Sequence, residues 1–256
     1  MNEPITWQPA NSAPPPEAGV VDVWRCPTDL PENSHWFFKH YLSLAERERA
    51  ADYRAPAKRN EFTIARGLLR VLLFRATEER PRELEFVSNV HGKPALLPEH
   101  NPMNVQFNVS HSHGLCLIAL TRGKSVGIDI EYTQRENDCE ALAQRFFSTA
   151  EVAALMAVPP EHRRRAFFTC WTRKEALLKA TGRGITMPLD SFDVEFWPQE
   201  RAGVSAIRFE PAGGPWKIFH LSPSDTHVAT VAVEGEATLR CWEWAWQSTL
   251  EEPRTQ

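Results

Sequence analysis

Trp171-Thr-Arg-Lys-Glu-Ala-Leu-Leu-Lys179 has the spacing of a helix, and Trp171, Glu175 and Lys179 recur at four-residue steps along one face of it. The stripe runs from an aromatic anchor to a carboxylate to an ammonium group. Taken alone it is an ordinary amphipathic pattern, because Glu four residues before Lys is the favourable order for a surface pair worth about 0.3 kcal/mol. The stretch that changes its meaning lies upstream. Val126-Gly-Ile-Asp-Ile-Glu-Tyr132 alternates with the period of a strand, so Val126, Ile128 and Ile130 face one way and Gly127, Asp129 and Glu131 the other. A helix and a strand, each with charged groups on one face, predict an α+β chain.

Working outward, residues 20–24 and 84–87 read as strands, and 42–54 and 60–77 as helices separated at Pro56. Phe62, Ala65, Leu69 and Leu72 form the apolar stripe of the second helix. His91-Gly-Lys-Pro94 is a turn, and residues 107–110 and 115–120 are strands paired around Ser110-His-Ser-His-Gly114. A similar order then recurs. Residues 126–132 resemble Val20-Val-Asp-Val-Trp24, Phe147-Ser-Thr-Ala-Glu151 opens a helix as Leu42-Ser-Leu-Ala-Glu46 does, and a long helix over 165–180 matches 61–76. Strands follow at 192–197, 216–221, 228–233 and 239–246, and Gly182 reads as the long helix's C-cap. The recurrence predicts an internal duplication: two similar lobes related by a pseudo-twofold axis, residues 20–125 and 126–247, with a cleft between them. Residues 1–19, carrying Pro14-Pro-Pro16, are expected to be a mobile leader, and 248–256 a polar tail.

The bulk properties narrow the class. The 256 residues are 42% hydrophobic and 24% charged, a globular profile, and a net charge of −4 offers no general attraction for nucleic acid or acidic membranes. No apolar run is long enough to span a bilayer, and the N-terminus has neither the basic nor the apolar region of a signal peptide. Five cysteines without a metal or redox spacing point to buried thiols in a reducing cytoplasm.

The acids on the strand carry the chemistry. Two unit charges ~4 Å apart at an effective dielectric near 20 repel by about 4 kcal/mol, so Asp129 and Glu131 are either spread into solvent or held by a cation. Carboxylate oxygens suit Mg2+, which keeps waters and shares its shell with substrate phosphates. Ser110 and His111 project from a strand end, Lys93 sits in a turn between Gly92 and Pro94, and Arg49 and Arg66 lie on helices. Each can serve an anionic ligand or be an ordinary loop donor or surface ion pair. Glu151 falls where negative charge favours a helix N-terminus, and His162-Arg-Arg-Arg165 reads as a solvated run. No phosphate-binding glycine loop, dinucleotide fingerprint or hydrolase elbow is present in the sequence. The residues alone support a Mg2+-dependent enzyme that transfers a phosphate-linked group or cleaves a pyrophosphate.

At this point the chain resembles a known family, the 4'-phosphopantetheinyl transferases of the large, surfactin-synthetase-activating type. The resemblance rests on Gly92-Lys-Pro94, Phe107-Asn-Val-Ser-His111, Gly127-Ile-Asp-Ile-Glu131, Arg145-Phe-Phe-Ser148 with Glu151, and Trp171-x-x-Lys-Glu-Ala-x-x-Lys179, in that order. It implies a monomer of two α+β lobes that moves the phosphopantetheine arm of coenzyme A to a serine of an apo carrier protein, releasing 3',5'-ADP. It further implies Asp129, Glu131 and Glu175 as Mg2+ ligands, Glu151 as general base and Lys179 at the pyrophosphate. His111, Ser110 and Arg66 would meet coenzyme A phosphates, Gly92-Lys93-Pro94 its adenine side, and Arg49 would be a further basic contact. Residues 133–147 would receive the carrier protein, with Phe146 or Phe147 either an apolar anchor or ordinary core. Glu46 departs from the pattern, since some members carry a lysine there; the 3'-phosphate grip would then be weaker or shared with Arg47 or Lys58. Two other readings remain open: a non-catalytic module that binds coenzyme A or a carrier, and a Mg2+-dependent pyrophosphate hydrolase.

Overall fold

The computed structural model describes residues 5–12, 14–77, 79–184, 187–198, 203–207 and 215–245, so the expected polar tail lies outside the described residues. Two sheets form the middle of the molecule. The first has five strands in the order β1 (Gln8–Ala10), β12 (Thr238–Trp244), β2 (Val20–Pro27), β6 (Leu115–Arg122) and β5 (Val105–Ser112). The second has three, β10 (Trp216–Ser224), β11 (His227–Glu234) and β7 (Val126–Tyr132), all antiparallel. Small hairpins complete the strands, β3 (Phe86–Ser88) with β4 (Pro94–Leu96) and β8 (Phe192–Glu195) with β9 (Gly203–Ile207). The helices are α1 (Glu32–Tyr41), α2 (Leu44–Asp52), α3 (Pro56–Thr77), α4 (Cys139–Phe146), α5 (Thr149–Ala157) and α6 (Pro160–Thr181).

Side-chain alternation sorts the strands into layers. Val21, Val23, Leu117, Ala119, Ile128, Ile130 and Val231 meet in a core between the two sheets. The opposite faces take helices: Trp24, Cys26 and Ile118 pack with Leu68, Leu69 and Leu72 of α3, whereas Val228 and Ala232 pack with Ala176, Leu177 and Ala180 of α6. The expected mixed α+β architecture is observed. The recurrence is visible too, because α3 and α6 are both 22-residue helices preceded by a short helix with a capping box, Ser43 with Glu46 and Ser148 with Glu151.

Three features differ from the sequence reading. The C-terminal strand β12 leaves the second half and pairs in parallel with β2, so the halves are not separate along the chain. The leader is not free over its whole length: β1 pairs in parallel with β12, Trp7 lies under Arg25 at 4.7 Å, and Glu17 pairs with Arg240 at 2.6 Å. The prolines prevent this segment from forming a central strand but not from adding to a sheet edge. Helix α1 was not expected at all. Its Phe38 is fully buried against α3, and Gly67 permits that approach, since a Cβ there would lie 2.6 Å from the Phe38 carbonyl oxygen.

Gly127 has the same kind of purpose. A Cβ on it would stand 2.1 Å from the Ala176 oxygen and 2.4 Å from the Ala180 nitrogen, so the gap beside Asp129 admits the backbone of α6. Gly127→Ala is expected to destabilise the protein by about 1–3 kcal/mol or more, because neither backbone can yield cheaply. A denaturant midpoint equal to that of the parent protein would show that α6 tolerates displacement.

Candidate active site

Strand β7 and helix α6 bring the two opening stretches together. Lys179 Nζ lies 2.7 Å from Asp129 Oδ1, 3.1 Å from Ser110 Oγ and 3.2 Å from the Ile128 carbonyl oxygen. Ser110 donates to the same Asp129 oxygen at 3.1 Å. Trp171, Glu175 and Lys179 are all partly buried on one face of α6, as their spacing predicts, and Trp171 packs among Phe146, Phe147 and Phe167. Glu131 accepts from Arg135 at 3.0 Å and from Ser112 at 3.4 Å.

Electrostatics tie the three acids into one group. Burial and then the Asp129 charge hold the Glu131 carboxyl above the ordinary carboxylate range, and the same two causes, in the same order, raise Glu175. Asp129 Oδ2 is buried with no hydrogen-bond partner. An acceptor in that state costs about 1–3 kcal/mol unless a ligand meets it. A cation would satisfy it and relieve the repulsion, and the all-oxygen donor set is the kind Mg2+ takes, so these residues fit that ion. Among the described residues no three acidic, His or Cys side chains form a ready-made metal cage. The fit is to an ion that also draws on substrate oxygens and water.

The remaining expected residues lie further out, several already engaged. His111 is half-exposed and its Nδ1 meets Glu61 at 3.1 Å. Arg66 stacks over Phe86 at 3.8 Å and pairs with Glu46, which also receives Arg70 at 2.6 Å. The result for Glu46 is a carboxyl held below its usual range, with burial opposing the two guanidinium groups. Arg49 is exposed over Phe62. Gly92, at φ 85°, makes the β3–β4 turn, and Lys93 beside it donates to the carbonyls of Val126 and Ala180 at 3.0 Å each. Burial pulls its ammonium down to about 8.

Glu151 departs most from its expected role. It is 3% exposed, and its oxygens accept from Ser148 N at 3.1 Å, Val194 N at 2.9 Å and Lys174 Nζ at 2.7 Å. Lys174, fully buried, also donates to the carbonyls of Leu189 and Phe192 at 2.6 and 2.5 Å. A carboxylate so engaged is an anchor between α5, α6 and β8; to act as a base it would first have to release one of these partners. Lys174 was missed as an element of the site's frame, although it stands inside the opening motif. The basic run His162–Arg165, expected ahead of the long helix, lies in the first turns of α6, and two of its arginines are structural. Arg163 donates to the Val158 and Met156 carbonyls at 3.0 Å each, and Arg164 to the carbonyls of Thr133 at 2.9 Å, Asn137 at 3.3 Å and Arg135. Of the two phenylalanines, Phe147 is core and Phe146 only partly buried.

Acids and a lysine thus converge from a strand and a helix on one partly buried centre of an α+β scaffold, a donor set that fits a divalent cation. Two family models match, 4'-phosphopantetheinyl transferase superfamily over residues 125–232 and 4'-phosphopantetheinyl transferase, N-terminal, over residues 29–122. The chain is 38% identical over 215 residues to 4'-phosphopantetheinyl transferase HetI of Nostoc sp., covering 84% of this chain and 88% of that one. It is 30% identical over 159 residues to 4'-phosphopantetheinyl transferase Sfp of Bacillus subtilis, 61% of this chain and 67% of the other. The chain belongs to the 4'-phosphopantetheinyl transferase family and is an enzyme of that class.

The anchor role of Glu151 has a measurable consequence. Lys174→Met or Glu151→Ala alone leaves a buried charge unpaired and is expected to cost about 3–5 kcal/mol, while the double replacement recovers part of the loss. Strictly additive unfolding energies in that cycle would remove the pair from the account.

Proposed function

We propose that this protein transfers the 4'-phosphopantetheine arm of coenzyme A to a serine hydroxyl of an apo carrier protein, with Mg2+, releasing 3',5'-ADP. The observation that carries the reading is the unpartnered, buried Asp129 Oδ2 beside Lys179, Glu131 and Glu175, in a chain of this family. Asp129, Glu131 and Glu175 would hold the ion, which when bound supplies Lewis-acid neutralisation of the pyrophosphate. Lys179, fixed by Ser110 and Asp129, would meet the phosphate oxygen that gains charge as the bond to the leaving nucleotide breaks. The serine proton must pass to a base in the cleft. Glu151, the base implied by the resemblance, would take that role only by releasing Lys174 or one of the two amides that hold it. Residues 133–147 would face the carrier, with the loop held by Arg164. The absence, among the described residues, of any helix long and apolar enough to cross a membrane, together with five buried free cysteines, supports a cytoplasmic setting, and the two halves within one chain support a monomer.

The test is mass spectrometry of an apo carrier protein incubated with coenzyme A and Mg2+, in which the carrier gains the phosphopantetheine mass. Asp129→Asn should lower the rate by more than about 100-fold, beyond the loss typical of an outer-shell partner. Binding without attachment would leave a coenzyme A module, and pyrophosphate cleavage without a carrier would leave a hydrolase.

A second outcome follows from the raised carboxyls. Groups whose folded pKa lies above the unfolded value favour the folded state most below that value, and lose the contribution as pH rises through the folded one. Stabilisation by Mg2+ should therefore be small below 4.5, the ordinary Glu value, and grow as Glu131 and Glu175 ionise. Thermal midpoints with and without Mg2+ across pH decide this; a constant difference counts against shared ligation.

A further inference from the structure

Ser112, the last residue of β5, reaches across to β7 beside Glu131, and its hydroxyl is fully used there. The oxygen accepts from the Tyr132 amide at 3.2 Å and from Arg135 Nη2 at 3.4 Å, and its proton goes to Glu131 Oε2 at 3.4 Å. These are long bonds, made by a strand end next to a turn in which His113 and Gly114 have positive φ, 46° and 84°. Local opening costs least at such ends. What steadies this one comes from the other sheet: His227 Nε2 lies 3.1 Å from the Ser112 carbonyl oxygen.

Packing alone does not call for a histidine at this position. His227 begins β11 and pairs in register with Tyr132 on β7. By alternation it shares a face with Ala229, Val231 and Val233, which are core between the two sheets. An aliphatic side chain would suit that face, yet a 6%-exposed imidazole stands there with both nitrogens engaged. The Ser112 carbonyl can only accept, so Nε2 carries the proton, and Nδ1 faces the hydroxyls of Ser224 at 2.8 Å and Thr226 at 3.2 Å. Burial lowers the ring's pKa from the ordinary histidine value, against the opposing effect of the Ser112 bond, so the neutral ring with its proton on Nε2 prevails near pH 7. The β10–β11 turn thus fixes the ring, and the ring reaches past the end of β7 to hold the tip of β5. Tyr132 packs against it with centroids 5.3 Å apart, filling the space between the two ends of this clamp.

We propose that His227 is a positioning residue: by holding the Ser112 carbonyl it sets the Ser112 hydroxyl against Glu131, and so orients that carboxylate for the metal ion. The inference rests on the Mg2+ reading, and its test separates the two. His227→Phe keeps a ring to pack on Tyr132 and removes the donor, whereas His227→Gln returns an N–H to the same carbonyl. In calorimetry, Mg2+ should bind His227→Phe about tenfold more weakly than the parent, the lower end of what an outer-shell partner is worth, and His227→Gln within about twofold of the parent. Ser112→Ala should show a similar loss. Adding His227→Phe to it should weaken Mg2+ by less than about twofold more, because the two act through one hydroxyl. An unchanged affinity, no recovery by Gln, or additive losses would overturn the clamp. Hydrogen exchange on the metal-free protein needs no ion. The Tyr132 amide, held by Ser112, should exchange about tenfold faster in His227→Phe, relative to the Ile128 amide held by Asn108. If the parent binds no Mg2+ but Tyr132 loses protection in this way, the clamp on Ser112 stands and the metal reading falls. Mg2+ binding with unchanged Tyr132 protection sinks the clamp and leaves the metal site.

Discussion

One edge of β7 is held by backbone and the other by side chains. β11 pairs with the first edge over its whole length. On the second, the N–H groups of Ile128, Ile130 and Tyr132 donate to Asn108 Oδ1 at 2.8 Å, Ser110 Oγ at 3.4 Å and Ser112 Oγ at 3.2 Å. Three short polar side chains at strand period thus satisfy three buried amides at the same period, groups that would otherwise carry a full desolvation cost. Backbone pairing would have drawn β5 and β7 to about 4.8 Å and merged the sheets. A side-chain ladder keeps them apart by the length of a serine or asparagine, and the site occupies that seam. Ser110 is the shared piece: it serves the Ile130 amide, Asp129 and Lys179 at once.

The recurrence of a capped short helix before a 22-residue helix accounts for the residue that departs from the family pattern. Glu46 and Glu151 occupy the same position of their capping boxes, and each then reaches the fifteenth residue of the long helix that follows, Arg70 in α3 and Lys174 in α6. Both cations spend their remaining donors on backbone carbonyls, Arg70 on Pro81 and Leu84, Lys174 on Leu189 and Phe192. A helix start, a helix middle and the loop beyond are locked together twice by the same geometry. Glu46 is therefore the counterpart of Glu151 and has an architectural reason to be acidic. Replacing one of these acids removes a lock before it removes any chemistry.

Most of the fold was legible where the pattern was local. The two-residue period of 126–132 and the four-residue stripe of 171–179 both placed their side chains on the observed faces, and Gly182 ends α6 at φ 68°. What was not legible depends on partners distant in sequence. Nothing within Thr238–Trp244 says that it returns to β2, and Gln8–Ala10 becomes a strand only because β12 offers an edge. Arg163 and Arg164 read as solvated because the carbonyls they satisfy belong to the end of α5 and to the loop at 133–137. Lys174 is the instructive case: a lysine next to a site glutamate suggests surface, and only Glu151, Leu189 and Phe192 make its full burial affordable.

The position of Lys179 is set from both halves of the chain. Its ammonium is fixed by Ser110 of β5 and Asp129 of β7, and the next residue, Ala180, gives its carbonyl to Lys93. Asn89 of the same hairpin donates to the Gly182 carbonyl at 2.7 Å. The turn at Gly92 thus supplies, from outside the helix, donors for the carbonyls that the end of α6 leaves unpaired. Helix α6 cannot slide along β7 without breaking these bonds or driving its backbone into the space above Gly127. Lys93 is then coupled to the acids through the helix terminus, whatever else it meets. A lysine proposed to face a pyrophosphate gains from such constraint, since long flexible side chains otherwise lose roughly 2 kcal/mol of rotamer freedom on being held.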